Sequence, residues 1–144
     1  MKKLITICLI ITATFTVNAQ NISFEETVKY INDKITCCAT EVGTLSTGIQ
    51  VFPNGYISIK HTNKKYDISF NFFDLVKPAP EYVCDNCDNG IGITHGYPTS
   101  VAFYIKPNFT VLINFATEAE AQRVLKAFLH LRSLCVKTKD PFQN

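Results

Sequence analysis

Tyr56-Ile57-Ser58-Ile59-Lys60-His61, then Thr62-Asn63-Lys64-Lys65, then Tyr66-Asp67-Ile68-Ser69-Phe70-Asn71-Phe72, is the stretch whose reading decides the fold. Ile57 and Ile59 share one face of the first segment, with Ser58 and Lys60 on the other. In the last segment Tyr66, Ile68, Phe70 and Phe72 alternate with Asp67, Ser69 and Asn71. Alternation of this kind marks a strand buried on one side. Thr62 to Lys65 is too short to hold a crossover helix, so the two strands must run antiparallel. Upstream, Gly48 to Phe52 reads as a further strand, and Pro53-Asn54-Gly55 is the tight turn that joins it, since Asn and Gly tolerate positive φ. Strands that follow one another without helices form an antiparallel meander rather than an α/β alternation.

Lys77 to Ser100 is rich in Pro, Gly, Asp, Asn and Cys and reads as one long loop or two. Beyond it Val101, Phe103 and Ile105 alternate, and Lys106-Pro107-Asn108 turns the chain. Phe109, Val111, Ile113 and Phe115 then alternate with Thr110, Leu112 and Asn114. Both faces of this last segment carry apolar residues, which predicts a central strand.

Helices close both ends. Ser23-Phe24-Glu25-Glu26 matches a capping box, with Ser23 as N-cap and Glu26 reaching back to it. Phe24, Val28, Ile31 and Ile35 follow on one helical face running to about Thr36, while Lys29, Asn32, Asp33 and Lys34 take the other faces. Thr117-Glu118-Ala119-Glu120 is a second capping box. Ala121, Val124, Leu125, Phe128 and Leu131 then form the stripe of a helix reaching about Cys135, which Arg132 and Lys137 suit as its negative end. Asp140-Pro141 stops anything further. The class is therefore α+β: an N-terminal helix, an antiparallel sheet, and a long amphipathic C-terminal helix. A strongly bent sheet or small barrel, with the last helix over its open side, buries every stripe at once. That is the logic of a pleckstrin-homology-like (PH-like) fold. A two-layer sandwich with both helices on one face satisfies the same patterns.

MKKLITICLIITATFTVNA, residues 1–19, has the build of a secretory signal peptide. Lys2 and Lys3 supply the positive start, Leu4 to Val17 the apolar region, and Val17-Asn18-Ala19 the cleavage signal. Threonines at 6, 12, 14 and 16 interrupt the apolar run, which falls short of the roughly 20 residues of a spanning helix. Cys8 lies too early for a lipoprotein signal. Cleavage after Ala19 predicts an exported, periplasmic or extracellular protein with one domain from Gln20 to Asn144 and no transmembrane segment. The chain carries 14 Lys and Arg against 12 Asp and Glu, and loss of Lys2 and Lys3 leaves the mature protein formally neutral. A nucleic-acid binder would carry a basic excess, so no nucleic acid is expected as partner.

Five cysteines survive cleavage: Cys37, Cys38, Cys84, Cys87 and Cys135. In an oxidising compartment the first expectation is disulfides, and an odd number leaves a thiol over. Cys135, at the end of an apolar helix face, is the candidate buried free thiol. Cys84-Asp85-Asn86-Cys87 admits three readings. A disulfide between Cys84 and Cys87 would staple the loop. A zinc site would need Cys37 and Cys38 as its other ligands, an awkward half for a tetrahedral centre. A redox site would need a positive neighbour, whereas Asp85 and Asp88 push the thiol pKa the wrong way. Asp85-x-Cys87-x-Asn89-Gly90 echoes a calcium loop but puts Cys in a ligand position and Gly96 where the bidentate Glu belongs. His61, His95 and His130 sit in no catalytic signature. Eleven Phe and six Tyr are enough for a packed core, and would also suit a ligand cavity. The residues imply no cofactor.

The start Phe24-Glu25-Glu26-Thr27-Val28-Lys29-Tyr30-Ile31-Asn32-Asp33-Lys34 and the closing Ala119-Glu120-Ala121-Gln122-Arg123-Val124-Leu125-Lys126-Ala127-Phe128-Leu129-His130-Leu131 resemble those of small exported PH-like proteins common in Bacteroidota-type bacteria. The resemblance covers the two ends, and the middle only in pattern. It implies compartment and fold, and a mid-chain Cys pair to which Cys84 and Cys87 would correspond. It implies no activity, since fold and function separate readily. The expectation is a binding module for a protein or small ligand, with a cleft near the 77–100 stretch. The alternatives are a periplasmic immunity or inhibitor protein, and a small enzyme using His95 or His61 with Asp85 or Asp88.

Overall fold

A computed structural model of the chain describes residues 22–38, 46–78, 84–106 and 109–137, with the side chains of Thr36, Cys37, Cys38, Ser46, Tyr66, Asp85 and Asn86 outside the description. The expected leader, the Pro107-Asn108 turn and the Asp140-Pro141 stop lie outside the described residues. The element order is α1 (Phe24–Cys38), β1 (Ser46–Val51), β2 (Tyr56–His61), β3 (Ile68–Asn71), β4 (Cys84–Asp88), β5 (Ile91–Thr94), β6 (Tyr97–Lys106), β7 (Phe109–Asn114) and α2 (Glu118–Leu134). Strands β1-β2-β3 form one antiparallel sheet and β4-β5-β6-β7 a second. The class is α+β, but the described strands close no barrel: they split into two sheets.

Both sheets and both helices share one core. Ile57, Ile59 and Phe70 from the first sheet share one buried cluster with Ile91, Phe103 and Ile113 from the second, with Phe72 just beyond β3, and with Ile31 of α1 and Phe128 of α2. Helix α2 packs on β5 and β6, and α1 packs on α2 and β1. Phe103 joins the layers: its ring centre lies 5.3 Å from Phe70 and 4.9 Å from Phe128, edge-on to the latter. Phe70, Phe72, Phe103, Tyr104, Phe115 and Phe128 are buried, while Tyr30, Phe52, Tyr56, Tyr97 and Phe109 are exposed. The α2 stripe of Ala121, Val124, Leu125, Phe128 and Leu131 is buried at every position.

The first cap forms fully. Glu26 N–H donates to Ser23 Oγ at 3.2 Å and Ser23 N–H to Glu26 Oε2 at 2.9 Å. The second is half a box. Glu120 N–H donates to Thr117 Oγ1 at 3.2 Å, while Glu120 Oε2 is buried without a partner among the described residues.

Asn32 departs from its expected place on an outer face of α1. Its amide bonds both backbone groups of Ile49 on the edge strand β1: Nδ2 donates to Ile49 O at 3.0 Å and Oδ1 accepts from Ile49 N–H at 2.7 Å. The side chain thus stands where a neighbouring strand would stand, and closes that edge. Asn32→Ala should cost about 2 kcal/mol, because it leaves two half-buried backbone groups unpaired. Thermal or urea melts of the variant check this.

Of the stretch from Lys77 to Ser100 expected as loop, the part from Cys84 onward is mostly sheet. Asn89 at φ 50° and Gly90 at φ 82° make the two-residue turn of a hairpin between β4 and β5. The expected strand from Tyr66 to Phe72 is shorter, because the Asn71 side chain accepts from Phe73 N–H at 2.9 Å and starts a 3-10 turn over Phe72–Asp74. The expected central strand, β7, is an edge; β6 is interior, and Val101, Ala102, Phe103 and Tyr104 are all buried on it.

Candidate functional site

Cys84 and Cys87 lie at disulfide-bonding distance, with Cα atoms 5.7 Å apart. They sit on the outermost strand of the second sheet, where the register with β5 shifts between Asp85 and Asp88. The shift is a bulge, and it brings the two sulfurs together over β5. Gly92 makes the room. A Cβ there would stand 2.6 Å from Cys84 Sγ, nearer still to Cys87 Sγ, and 2.8 Å from Cys87 Cα. Gly92 pairs in register with Ala102 of β6, so the sulfur pair lies over two small residues. Sequence reading singled out the cysteines but not Gly92, whose only signal is a glycine inside a strand pattern.

Of the other candidate groups, the structure sets Asp88 apart from His95 and places His61 elsewhere. Register places Asp85 opposite Ile93 and Asp88 opposite Ile91, so Asp88 and His95 stand at opposite ends of the β4–β5 hairpin. The Asp85 side chain is outside the description. His61 belongs to the other sheet. Its backbone N–H donates to Asp67 Oδ1 at 2.9 Å, and Lys60 Nζ donates to Asp67 Oδ2 at 3.2 Å. Both ring nitrogens of His61 are buried with no hydrogen-bond partner among the described residues. His130 Nε2 lies 3.0 Å from Ile22 O, and ties the start of α1 to α2. Among the described residues no three His, Cys, Asp or Glu side chains gather as metal ligands. The side chains of Cys37 and Cys38, the other half of the zinc reading, lie outside the description.

Asp67 is held below the ordinary carboxylate range, first by the His61 backbone N–H. A depressed folded pKa adds stability that is present above about pH 4 and lost as pH falls through the folded value. Asp67→Asn should therefore flatten the acid limb of the stability profile and leave the neutral limb unchanged in slope. Melts from pH 2 to 7 measure it.

Cys135 is a buried thiol whose Sγ donates to Leu131 O at 3.3 Å, and burial pushes its pKa up. That makes it a poor nucleophile. Around it several large apolar side chains are exposed. Val136 N–H donates to Pro53 O at 2.8 Å, pinning the end of α2 against the β1–β2 turn. Phe52 and Tyr56 flank that turn with ring centres 6.0 Å apart. Phe52 and Tyr56 are each 42% exposed, and Val136 70%. Behind them the Arg132 guanidinium lies 5.9 Å from the Phe73 ring centre and donates to Asn89 O at 2.6 Å, tying the second hairpin to the same end. Sequence reading assigned Tyr56 to a strand and Phe52 to its neighbour; nothing in their spacing showed that both rings would face solvent.

No helix among the described residues is long and apolar enough to cross a membrane. Compared with family models, curated proteins and solved structures, the chain matches none.

Proposed function

We propose that the chain is an exported interaction module of PH-like architecture, and that its contact surface is the apolar end formed by Phe52, Tyr56 and Val136. The observation that carries the reading is this exposure of three large apolar side chains on adjoining elements, brought together where Val136 N–H donates to Pro53 O. Aromatic side chains suit such a surface because they offer large contact area at small entropic cost. Three features support the finer parts of the proposal. Two antiparallel sheets with a C-terminal helix packed on one of them suit a PH-like layout. The leader-like first nineteen residues and the Cys84–Cys87 pair suit export. The likeness of both chain ends to small exported Bacteroidota-type proteins suits both.

A photo-crosslinker beside this surface, at position 54 of the exported protein, tests the proposal in the native envelope. One discrete partner is expected, and Phe52→Ser/Tyr56→Ser should reduce its capture at least tenfold without lowering Tm by more than a few degrees. Equal capture by the double variant would remove this surface from the account.

A further inference from the structure

Among the described residues the two sheets have four outer edges, and three of them are blunted. Asn32 occupies the backbone of β1. Strand β3 has only four residues and ends in a 3-10 turn. Strand β4 is bulged at the cysteine pair and carries Asp88. Short strands, bulges and charges are the ordinary means of keeping an edge from pairing. Strand β7, Phe109-Thr110-Val111-Leu112-Ile113-Asn114, has none of them: it contains no charge and no proline, and its register with β6 is regular from Thr110 to Asn114.

The register also shows which groups are open. Phe115 N–H donates to Thr99 O at 2.8 Å, in the same register as the Ser100–Asn114 pair. Hydrogen-bonded and non-hydrogen-bonded pairs alternate along an antiparallel ladder, so Val111, Ile113 and Phe115 bond to β6. Thr110, Leu112 and Asn114 therefore turn their backbone N–H and C=O groups outward. The other side of β6 agrees: Tyr104 N–H donates to Gly90 O at 2.9 Å, so Tyr104 serves β5 and its partner Thr110 is left to face away. Among the described residues no backbone group accepts from or donates to this outer row.

We propose that β7 is the site at which a second copy of this chain adds, β7 against β7, antiparallel about a two-fold axis at Leu112. The outward row is its own complement. With Leu112 opposite Leu112, Thr110 faces Asn114 of the other copy, and every outward group finds a partner. A register centred on Val111 leaves Asn114 unpaired. In the Leu112 register Val111 stands opposite Ile113 on the core face, and Thr110 stands opposite Asn114 on the other face, where Ser100 Oγ donates to Asn114 Oδ1 within each copy. The result is one continuous sheet across two molecules, closed by symmetry. An extended peptide would find the same hydrogen bonds, but nothing in the fold favours one peptide, whereas the strand itself supplies a matched row.

Analytical ultracentrifugation of the exported protein over a micromolar to millimolar series tests this, with Leu112→Lys and Leu112→Glu beside the wild type. The wild type should pass from monomer to dimer within the series. Each variant alone places like charges at the two-fold axis and should weaken the dimer at least tenfold. An equimolar mixture of the two should restore it, which a merely misfolded variant could not do. A wild type that stays monomeric overturns the proposal and leaves the edge to a peptide strand. A dimer indifferent to Leu112→Lys, or a mixture that fails to recover while both variants melt like wild type, overturns it as well.

Discussion

Phe103→Ala is expected to lower stability by about 4 kcal/mol, the cost of a large cavity in a close-packed core. For a domain of this size that is a fall in Tm of roughly 15 °C. The expectation rests on position. Phe103 is fully buried at the middle of interior strand β6, touches Phe70 of the other sheet and Phe128 of α2, and so holds three layers in register. Phe103→Leu keeps most of the volume and should cost only about 1.5 kcal/mol. Urea melts of both variants decide the matter. Similar small losses for the two would mean that the sheets are not joined through this ring.

Gly92→Ala should cost about 3 kcal/mol, an effect unusual for so small a change in a strand, since the new methyl must displace a sulfur pair and a backbone atom. The partner of this effect is named by the geometry. In a Cys84→Ala/Cys87→Ala background the sulfurs are gone and only Cys87 Cα remains close, so the same substitution should cost at least about 1 kcal/mol less. Removing the cysteines alone should cost about 2 kcal/mol, the loop-closure value for so short a ring. A Gly92→Ala cost equal in both backgrounds would show that the sulfurs do not lie over Gly92.

The parts of this fold that were legible from sequence are those where local chemistry and burial agree. Ser23 and Glu26 announce α1, the buried stripe of α2 follows from spacing alone, and β2 runs from Tyr56 to His61 as its alternation predicts. What was not legible was decided by partners distant in sequence. The β4 strand, Cys-Asp-Asn-Cys-Asp, has no apolar alternation, because its outer position and its sulfur pair replace side-chain burial. The Asn89-Gly90 turn was visible but sat among residues that read as loop. Asn32 looks like any polar residue on a solvated helix face until Ile49 is brought beside it. Strand β7 is apolar on both faces, which ordinarily marks an interior strand. Here the strand is an edge among the described residues, with Val111 and Ile113 buried in the core and Leu112 half-buried on the other face. At the apolar end, Phe52 and Tyr56 could be read as strand residues but not as surface, since exposure depends on where α2 ends.

The central proposal is that this is an exported domain whose β4 strand is bulged at a bond between Cys84 and Cys87. Intact mass and peptide mapping of the protein recovered from its native envelope, without reduction, test it directly. The expected result is a chain beginning at Gln20, with Cys84 and Cys87 in one peptide lighter by two hydrogens than its reduced form. A chain that still begins at Met1, with both thiols free, would contradict it.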